Sequence, residues 1–277
     1  MIDSFYSQIV TALSQAGIDS PRLEARLLLA YACGLENDEF NPYAELNGEQ
    51  KQKALDLVAR RIKHEPLDKI IGYRDFYKYR FRVNNNVLSP RPDSELLVET
   101  SLELIKNNNF SYILELGVGS GCLLLSVLAD TPTAKGVGAD ISVAALATAR
   151  QNAEDLKISE RVKFIEFDYF KDDFADEFDL IISNPPYIPT ADIQTLTTEV
   201  KDYDPMSALD GGKDGLCHYR QIAAVAKNWL KTGGYIVLEV GINQAEDVAD
   251  IFVRQGWKEV GIRLDLAQIK RCVILQK

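Results

Sequence analysis

The sequence is poor in the side chains that build metal sites. Its 277 residues include only four cysteines and two histidines, and Cys33, Cys122, Cys217 and Cys272 are scattered with no C-x-x-C pair among them. With only His64 and His218 to add imidazoles, no metal site and no disulfide framework is expected, and the thiols read as reduced ones in a cytoplasmic protein. No apolar run approaches the roughly 20 residues that span a bilayer, so no membrane association is expected. The first six residues carry Asp3 where a secretion signal needs a basic region. Positive charge is also in deficit: 31 Lys and Arg stand against 41 Asp and Glu, a formal net charge of -10. Attraction to a polyanion such as duplex DNA would need a local patch working against that field, and no direct nucleic-acid requirement is expected.

What is present reads as a globular chain of two domains. A length of 277 residues is large for one compact domain and allows a core that needs no disulfides. The first 66 residues read as a small helical bundle. Ser4 can cap a helix carrying Phe5, Ile9 and Leu13, with Gly17 at its stop; Ser20 as cap and Pro21 at the first helical position open a second that ends at Gly34. In the third, Asn47 and Gln50 form a capping box, and Pro66 is expected to end the run. Residues 67–86 read as a hairpin linker, because Tyr77, Tyr79, Phe81 and Val83 alternate with Lys78, Arg80 and Arg82 before a turn at Asn84–Asn86. A solvated strand surface explains the basic face better than a phosphate site.

From residue 87 to 277 apolar strands alternate with amphipathic helices, the pattern of an α/β domain with a doubly wound, Rossmann-like sheet. Seven strands are expected, at 112–116, 135–140, 162–167, 178–183, 235–240, 257–262 and 271–276. The first runs through Glu115 into the glycine-rich turn Gly117-Val118-Gly119-Ser120-Gly121. A dinucleotide fingerprint wants its third glycine at 122, where Cys122 stands, so a dehydrogenase is disfavoured. Asp140 ends the next strand at the distance where a carboxylate accepts ribose hydroxyl protons. Asp168 and Tyr169 follow the third strand and offer an acceptor for an adenine amine and a ring for its face. A nucleoside without a pyrophosphate fits this order, and S-adenosylmethionine fits best, with Glu115 facing the methionyl ammonium.

The fourth strand leads into Asn184-Pro185-Pro186-Tyr187. Consecutive prolines remove two donors and stiffen the backbone, which frees carbonyls to accept hydrogen bonds from a ligand. With the Asn184 side-chain carbonyl they can hold an –NH₂ group by both hydrogens, while Tyr187 stacks on a planar group. Such a site suits a delocalised amide or aromatic amine, whose nitrogen is a poor nucleophile until its N–H bonds are pulled.

Glycine turn, acid, Asp-aromatic pair and Asn-Pro-Pro-Tyr in this order resemble the class I amino-methyltransferases, which include adenine DNA methyltransferases and release factor glutamine methyltransferases. The helical N-terminus, Glu65-Pro66, Ile71-Gly72-Tyr73-Arg74-Asp75-Phe76, Leu88-Ser89-Pro90-Arg91-Pro92-Asp93-Ser94-Glu95, and Asp204-Pro205-Met206-Ser207-Ala208-Leu209 through Gly211-Gly212-Lys213-Asp214-Gly215 are similar to the second family (also called HemK) over nearly its whole length. The resemblance implies transfer of a methyl from S-adenosylmethionine, leaving S-adenosylhomocysteine, to the side-chain amide of the glutamine in the Gly-Gly-Gln tip of class I peptide chain release factors. It further implies cofactor contacts from Gly117 to Gly121, Asp140, Tyr169 and Asn184, and substrate contacts from Asn184 to Tyr187. The helical bundle is expected to dock the protein substrate. An adenine-specific nucleic-acid methyltransferase is the alternative, since adenine's exocyclic amine asks for the same acceptors. Two positions depart from the family pattern: Ser89 replaces an apolar residue and Gln268 a common glycine. Pro90-Arg91-Pro92 reads equally well as a substrate contact or an interdomain brace.

Overall fold

The computed structural model describes residues 5–36, 39–42 and 44–277. The chain forms two compact bodies: the described residues up to Tyr73 together with Thr197–Tyr203, and Arg74–Leu196 together with Asp204–Lys277.

The first body contains α1 (Phe5–Gln15), α2 (Pro21–Cys33), α3 (Gly48–Arg61) and α4 (Leu67–Ile71). Ile9, Leu13, Leu28, Leu29, Ala54, Leu57, Val58, Ile70 and Ile71 make its core. The Asn47–Gln50 capping box forms as expected, with Oδ1 of Asn47 accepting from Gln50 N at 2.9 Å and Gln50 Oε1 accepting from Asn47 N at 3.0 Å. The expected Ser4 cap lies outside the described residues. Pro21 does stand at the first turn of α2, but Ser20 makes no side-chain capping bond, its ψ of 59° holding it out of the extended region. Nor does the third helix run to Pro66. It ends at Arg61, the chain turns at His64 with φ +61°, and Pro66 precedes the extra helix α4. The residue before a proline is kept out of helical geometry, which places this break earlier than the proline itself. Arg61, only 4% exposed, reaches Glu24 on α2 and Glu199 at 2.6 Å, so the short segment 197–203 is held to α3 by a buried cation.

The hairpin strands are β1 (Tyr73–Phe76) and β2 (Tyr79–Arg82). The aromatic and basic alternation therefore crosses a turn instead of marking one strand: Tyr77 has φ +55°, and its N–H donates to the Glu95 carboxylate at 2.9 Å. Each basic residue of the hairpin face has an acidic partner, Lys78 with Asp130, Arg80 with Asp75 at 2.9 Å and Arg82 with Asp155 at 2.6 Å.

The main sheet has the expected seven strands: β3 (Tyr112–Leu116), β4 (Lys135–Asp140), β5 (Val162–Glu166), β6 (Phe178–Ser183), β7 (Leu230–Glu239), β8 (Lys258–Leu264) and β9 (Lys270–Gln276). Strand β7 begins earlier than the pattern suggested, at Leu230. The order is β5-β4-β3-β6-β7-β9-β8, with β9 antiparallel to both neighbours. Alternate residues feed two cores. Leu114, Leu116, Ile181, Ile236 and Leu238 pack with Tyr219, Ile222, Trp229 and Phe252 on one face. On the other, Ile113, Leu180, Ile182 and Val237 pack with residues of α5 (Glu95–Asn108) and α6 (Cys122–Asp130). This double covering explains why the strands read as nearly continuous apolar runs. Helix α7 (Val143–Asp155) follows β4.

The departure at Gln268 has a measurable consequence. This residue closes the β8–β9 turn with φ +62°, its N–H donating to Asp265 O at 3.0 Å. A side chain in left-handed backbone costs roughly 1–2 kcal/mol, part of which glycine returns as extra freedom of the unfolded chain. Gln268→Gly is therefore expected to stabilise the protein by about 0.5–1 kcal/mol, read as a rise in Tm of a few degrees; an unchanged or lower Tm would contradict the strain.

Candidate active site

Parallel strands of an open α/β sheet leave a crevice at their carboxyl ends where the winding reverses, and here that point lies between β3 and β6. A cavity of about 470 Å³ occupies it, within the size range of small-molecule sites.

The floor is the turn after β3. Gly117 and Gly119 line the cavity with φ of +69° and +53°, together with Val118 and Ser120. A Cβ built on Gly119 finds no atom closer than Gly117 O at 4.0 Å, so the space over that backbone is open. Gly121 does not line the cavity. It precedes α6 as its N-terminal cap with φ +82°, and a Cβ there would press Leu125 Cδ1 at 2.8 Å, so this glycine serves helix packing.

Asp140 lines the cavity and also braces the turn. One carboxylate oxygen accepts from Gly119 N at 2.9 Å and the other from Ser142 N at 2.8 Å. Each oxygen keeps a lone pair for a ligand hydroxyl. Burial raises its pKa against the lowering effect of those backbone bonds. Glu115, 2% exposed, accepts from Leu124 N at 2.9 Å, and burial, reinforced by the charge of Asp140, pushes its pKa well above the ordinary carboxylate value. A buried carboxyl of this kind is costly to ionise unless a cation arrives, which suits a ligand ammonium.

Asp168, Tyr169 and Phe170 form a further wall. The Asp168 carboxylate is engaged by its own turn, accepting from Phe170 N at 3.0 Å and from Lys171 Nζ at 2.6 Å, and the Lys171 bond lowers its pKa. Tyr169 is tied to a residue that the sequence offered only as a spare imidazole. His218 Nε2 lies 3.1 Å from Asp210 O, which can only accept, so the neutral ring donates from Nε2 and its Nδ1 accepts the hydrogen bond of the Tyr169 hydroxyl, 2.5 Å away. Burial lowers the His218 pKa and favours that neutral form.

Asn184 and Pro186 line the opposite side, whereas Pro185 is buried behind them and Tyr187 lies outside the lining. Tyr187 packs against the main core, and burial pushes its hydroxyl pKa to about 12. Its backbone is locked: Tyr187 O accepts from Gln244 Nε2 at 3.0 Å, and Ile188 pairs with Leu209 and Gly211. A Cβ at Gly215 would lie 2.4 Å from Tyr187 O and one at Gly211 2.8 Å from Tyr187 Cα, so these two glycines let the loop approach the proline turn. Val87 to Arg91 and Ser94 supply the last wall, where Arg91 pairs with Asp204 at 3.0 Å and the buried Ser89 hydroxyl has no hydrogen-bond partner among the described residues. Among the described residues no cluster has the makings of a metal site, and no helix is long and apolar enough to cross a membrane.

Sequence reasoning missed Ser94 as a partner of Asn184 (3.3 Å), Glu239 behind it, and Asn152, which clasps the hairpin and the glycine turn through Arg82 and Ser120 O. Nothing in their local sequence marks these three. His218 and Gln244 carry no more signal than their polarity.

Comparison with known proteins adds to this geometry. Residues 80–200 match the family model of the methyltransferase small domain, and residues 5–72 that of the PrmC N-terminal domain. A release factor glutamine methyltransferase of Caulobacter vibrioides is 43% identical over 264 residues, covering 95% of this chain and 91% of that one. One from Geobacter sulfurreducens is 41% identical over 265 residues, covering 94% and 91%.

Proposed function

This chain belongs to the release factor glutamine methyltransferase family, and from that premise we propose that it methylates the side-chain amide nitrogen of the glutamine in the Gly-Gly-Gln tip of class I release factors, using S-adenosylmethionine. The observation that carries this reading is the state of Asn184. Its amide nitrogen donates to Ser94 Oγ at 3.3 Å, which leaves the carbonyl as an acceptor in the cavity wall.

The donor, when bound, supplies an electrophilic methyl on a sulfonium. Its residues fit here: open space above Gly119 for the ligand to lie against, Asp140 for ribose hydroxyls, Tyr169 beside the base, and Glu115 for the ammonium. Asn184 Oδ1 and a backbone carbonyl of the proline turn would take the two amide hydrogens and aim the nitrogen. Pulling on both N–H bonds raises electron density at nitrogen, and the acceptors strengthen as that nitrogen gains positive charge. No strong base is required, because the N–H becomes acidic only as the new N–C bond forms, and its proton then passes to water. Mass spectrometry of a release factor incubated with the protein and labelled donor is expected to find one added methyl on the tip glutamine. A factor with Glu at the tip has no –NH₂ to hold and should stay unlabelled; labelling of that tip would overturn the mechanism.

The helical body would add docking contacts for the intact factor. Leu23 on α2 and Leu55 on α3 are exposed large apolar side chains, 54% and 45% accessible. Leu23→Glu and Leu55→Glu should raise KM for intact factor several-fold while sparing KM for a short Gly-Gly-Gln peptide. Equal effects on both substrates would remove the docking role.

Glu115 makes cofactor binding sensitive to pH. A ligand cation stabilises the carboxylate, so binding pulls the raised pKa down and expels a proton. Affinity should then climb with pH until the free protein's Glu115, whose pKa burial raises, has ionised. Calorimetry in buffers of different ionisation enthalpy is expected to register proton release, and Glu115→Gln to lose it. Undiminished release from that variant would place the proton elsewhere, with Asp140 the next candidate.

A further inference from the structure

We propose that Ser94 and Glu239 are positioning residues for Asn184, their hydrogen bonds deciding which end of its amide faces the cavity. The idea rests on the reading of Asn184 as the amide-holding residue.

The two ends of an asparagine amide have nearly the same shape and opposite hydrogen-bonding character. Turned over, Asn184 would present –NH₂ to the –NH₂ of the substrate, donor against donor. Something must therefore distinguish the ends. Asn184 Nδ2 donates to Ser94 Oγ, and Ser94 Oγ in turn donates to Glu239 Oε2. A hydroxyl has one proton. Once Glu239 has taken it, Ser94 shows Asn184 only lone pairs, and only the –NH₂ end can face it.

Both members are anchored for this task. Ser94 is 3% and Glu239 2% exposed. Glu239 ends β7 opposite Cys272 of β9, and its backbone carbonyl accepts from the Tyr219 hydroxyl at 2.8 Å. Arg271, next along β9, lies 3.4 Å from Asp93, so the turn that carries Ser94 is tied to the strand beside Glu239. Ser94 lines the cavity and Glu239 does not, which places the carboxylate behind the chemistry. A buried carboxylate whose side-chain hydrogen bonds go to Ser94 and to Asn184 itself has no evident use in packing, since an apolar residue would cost less there.

The relay has a proton-dependent failure. If Glu239 is protonated it can donate to Ser94, whose own proton is then free to point at Asn184 and favour the inverted amide. Burial raises the Glu239 pKa to about 7, with Asp93 adding to the rise and Ser94, Arg271 and Asn184 opposing it. The other titratable groups that interact with it, Tyr187, Tyr219, Cys122 and Cys272, all have pKa values raised by burial and stay neutral near that pH. The ionised form, which sets Asn184 correctly, therefore grows in as pH rises through about 7.

The experiment measures single-turnover methylation of a release factor against pH, at saturating donor, for wild type, Glu239→Gln, Ser94→Ala and Asn184→Ala. Wild type is expected to gain rate through an ionisation near pH 7. Glu239→Gln, which cannot ionise, should lose that limb and run on the order of 10-fold slower above it, as supporting groups of active sites do. Cofactor affinity should be unchanged. Ser94→Ala should slow turnover similarly and keep cofactor affinity, and Ser94→Ala with Glu239→Gln should be no slower than either alone. A Glu239→Gln protein with wild-type rate and wild-type pH profile overturns the proposal, as does Ser94→Ala at wild-type rate should Glu239→Gln fail to fold. If Asn184→Ala is slow while these variants are not, only the positioning role fails; if Asn184→Ala is itself at wild-type rate, the amide reading fails first.

Discussion

Asn184→Ala is expected to cut the single-turnover rate about 100-fold or more while leaving the fold and most of the cofactor affinity in place, the scale of losing one preorganised polar group from an active site. Asn184 follows β6 directly, and that strand is in register with β3 on one side and β7 on the other, so alanine leaves the backbone of the proline turn supported. On the proposed role, what disappears is an acceptor that strengthens as the substrate nitrogen becomes positive, so the loss should fall on the chemical step and not on KM. Asn184→Asp keeps an acceptor but gives up the donor to Ser94, and it should retain part of the activity. A wild-type single-turnover rate for Asn184→Ala would mean that the amide is held elsewhere.

Gly119→Val should abolish measurable cofactor binding. The space above Gly119 is open, and Gly119 lines the cavity, so a branched side chain would project into volume that the ligand needs. The left-handed φ of +53° adds strain of roughly 1–2 kcal/mol for a residue with a Cβ. That is affordable against a typical stability of about 5–15 kcal/mol, so the variant should fold with a lowered Tm. Calorimetry on folded Gly119→Val with S-adenosylhomocysteine is the check, and unchanged affinity would detach the cofactor from this turn. The comparison with Gly121 sharpens it. There a Cβ meets Leu125 instead of the cavity, so Gly121→Ala should cost stability more than binding.

The parts of the site that could be read beforehand share one property: their chemistry is written in contiguous residues. Positive φ at Gly117, Gly119 and Gly121 needs glycine, two prolines stiffen the segment after Asn184, and an acid at the end of β4 follows the turn at a fixed distance. Local rules failed where local features compete. Pro66 drew attention as a helix stop although the chain had already turned at His64, and the alternation around Tyr79 concealed the hairpin turn at Tyr77.

The supporting contacts were illegible for a different reason. Ser94 and Glu239 are 145 positions apart, Arg61 and Glu199 138, Arg82 and Asn152 70, Gln244 and Tyr187 57. Which buried polar groups meet at such separations depends on strand order and register, and the pattern of one strand carries no record of its neighbours. By itself, then, the sequence determined the alternation of strands and helices, the glycine turn, and the acceptor-rich proline segment, because each follows from dihedral preference and apolar period within a few residues. Only the tertiary structure decided that β6 and β7 run side by side with the Pro92–Ser94 turn over their ends, and so that Asn184 has a hydroxyl and a buried carboxylate behind it; burial in that packed interior is what makes those two groups satisfy their hydrogen bonds from one another and from Asn184.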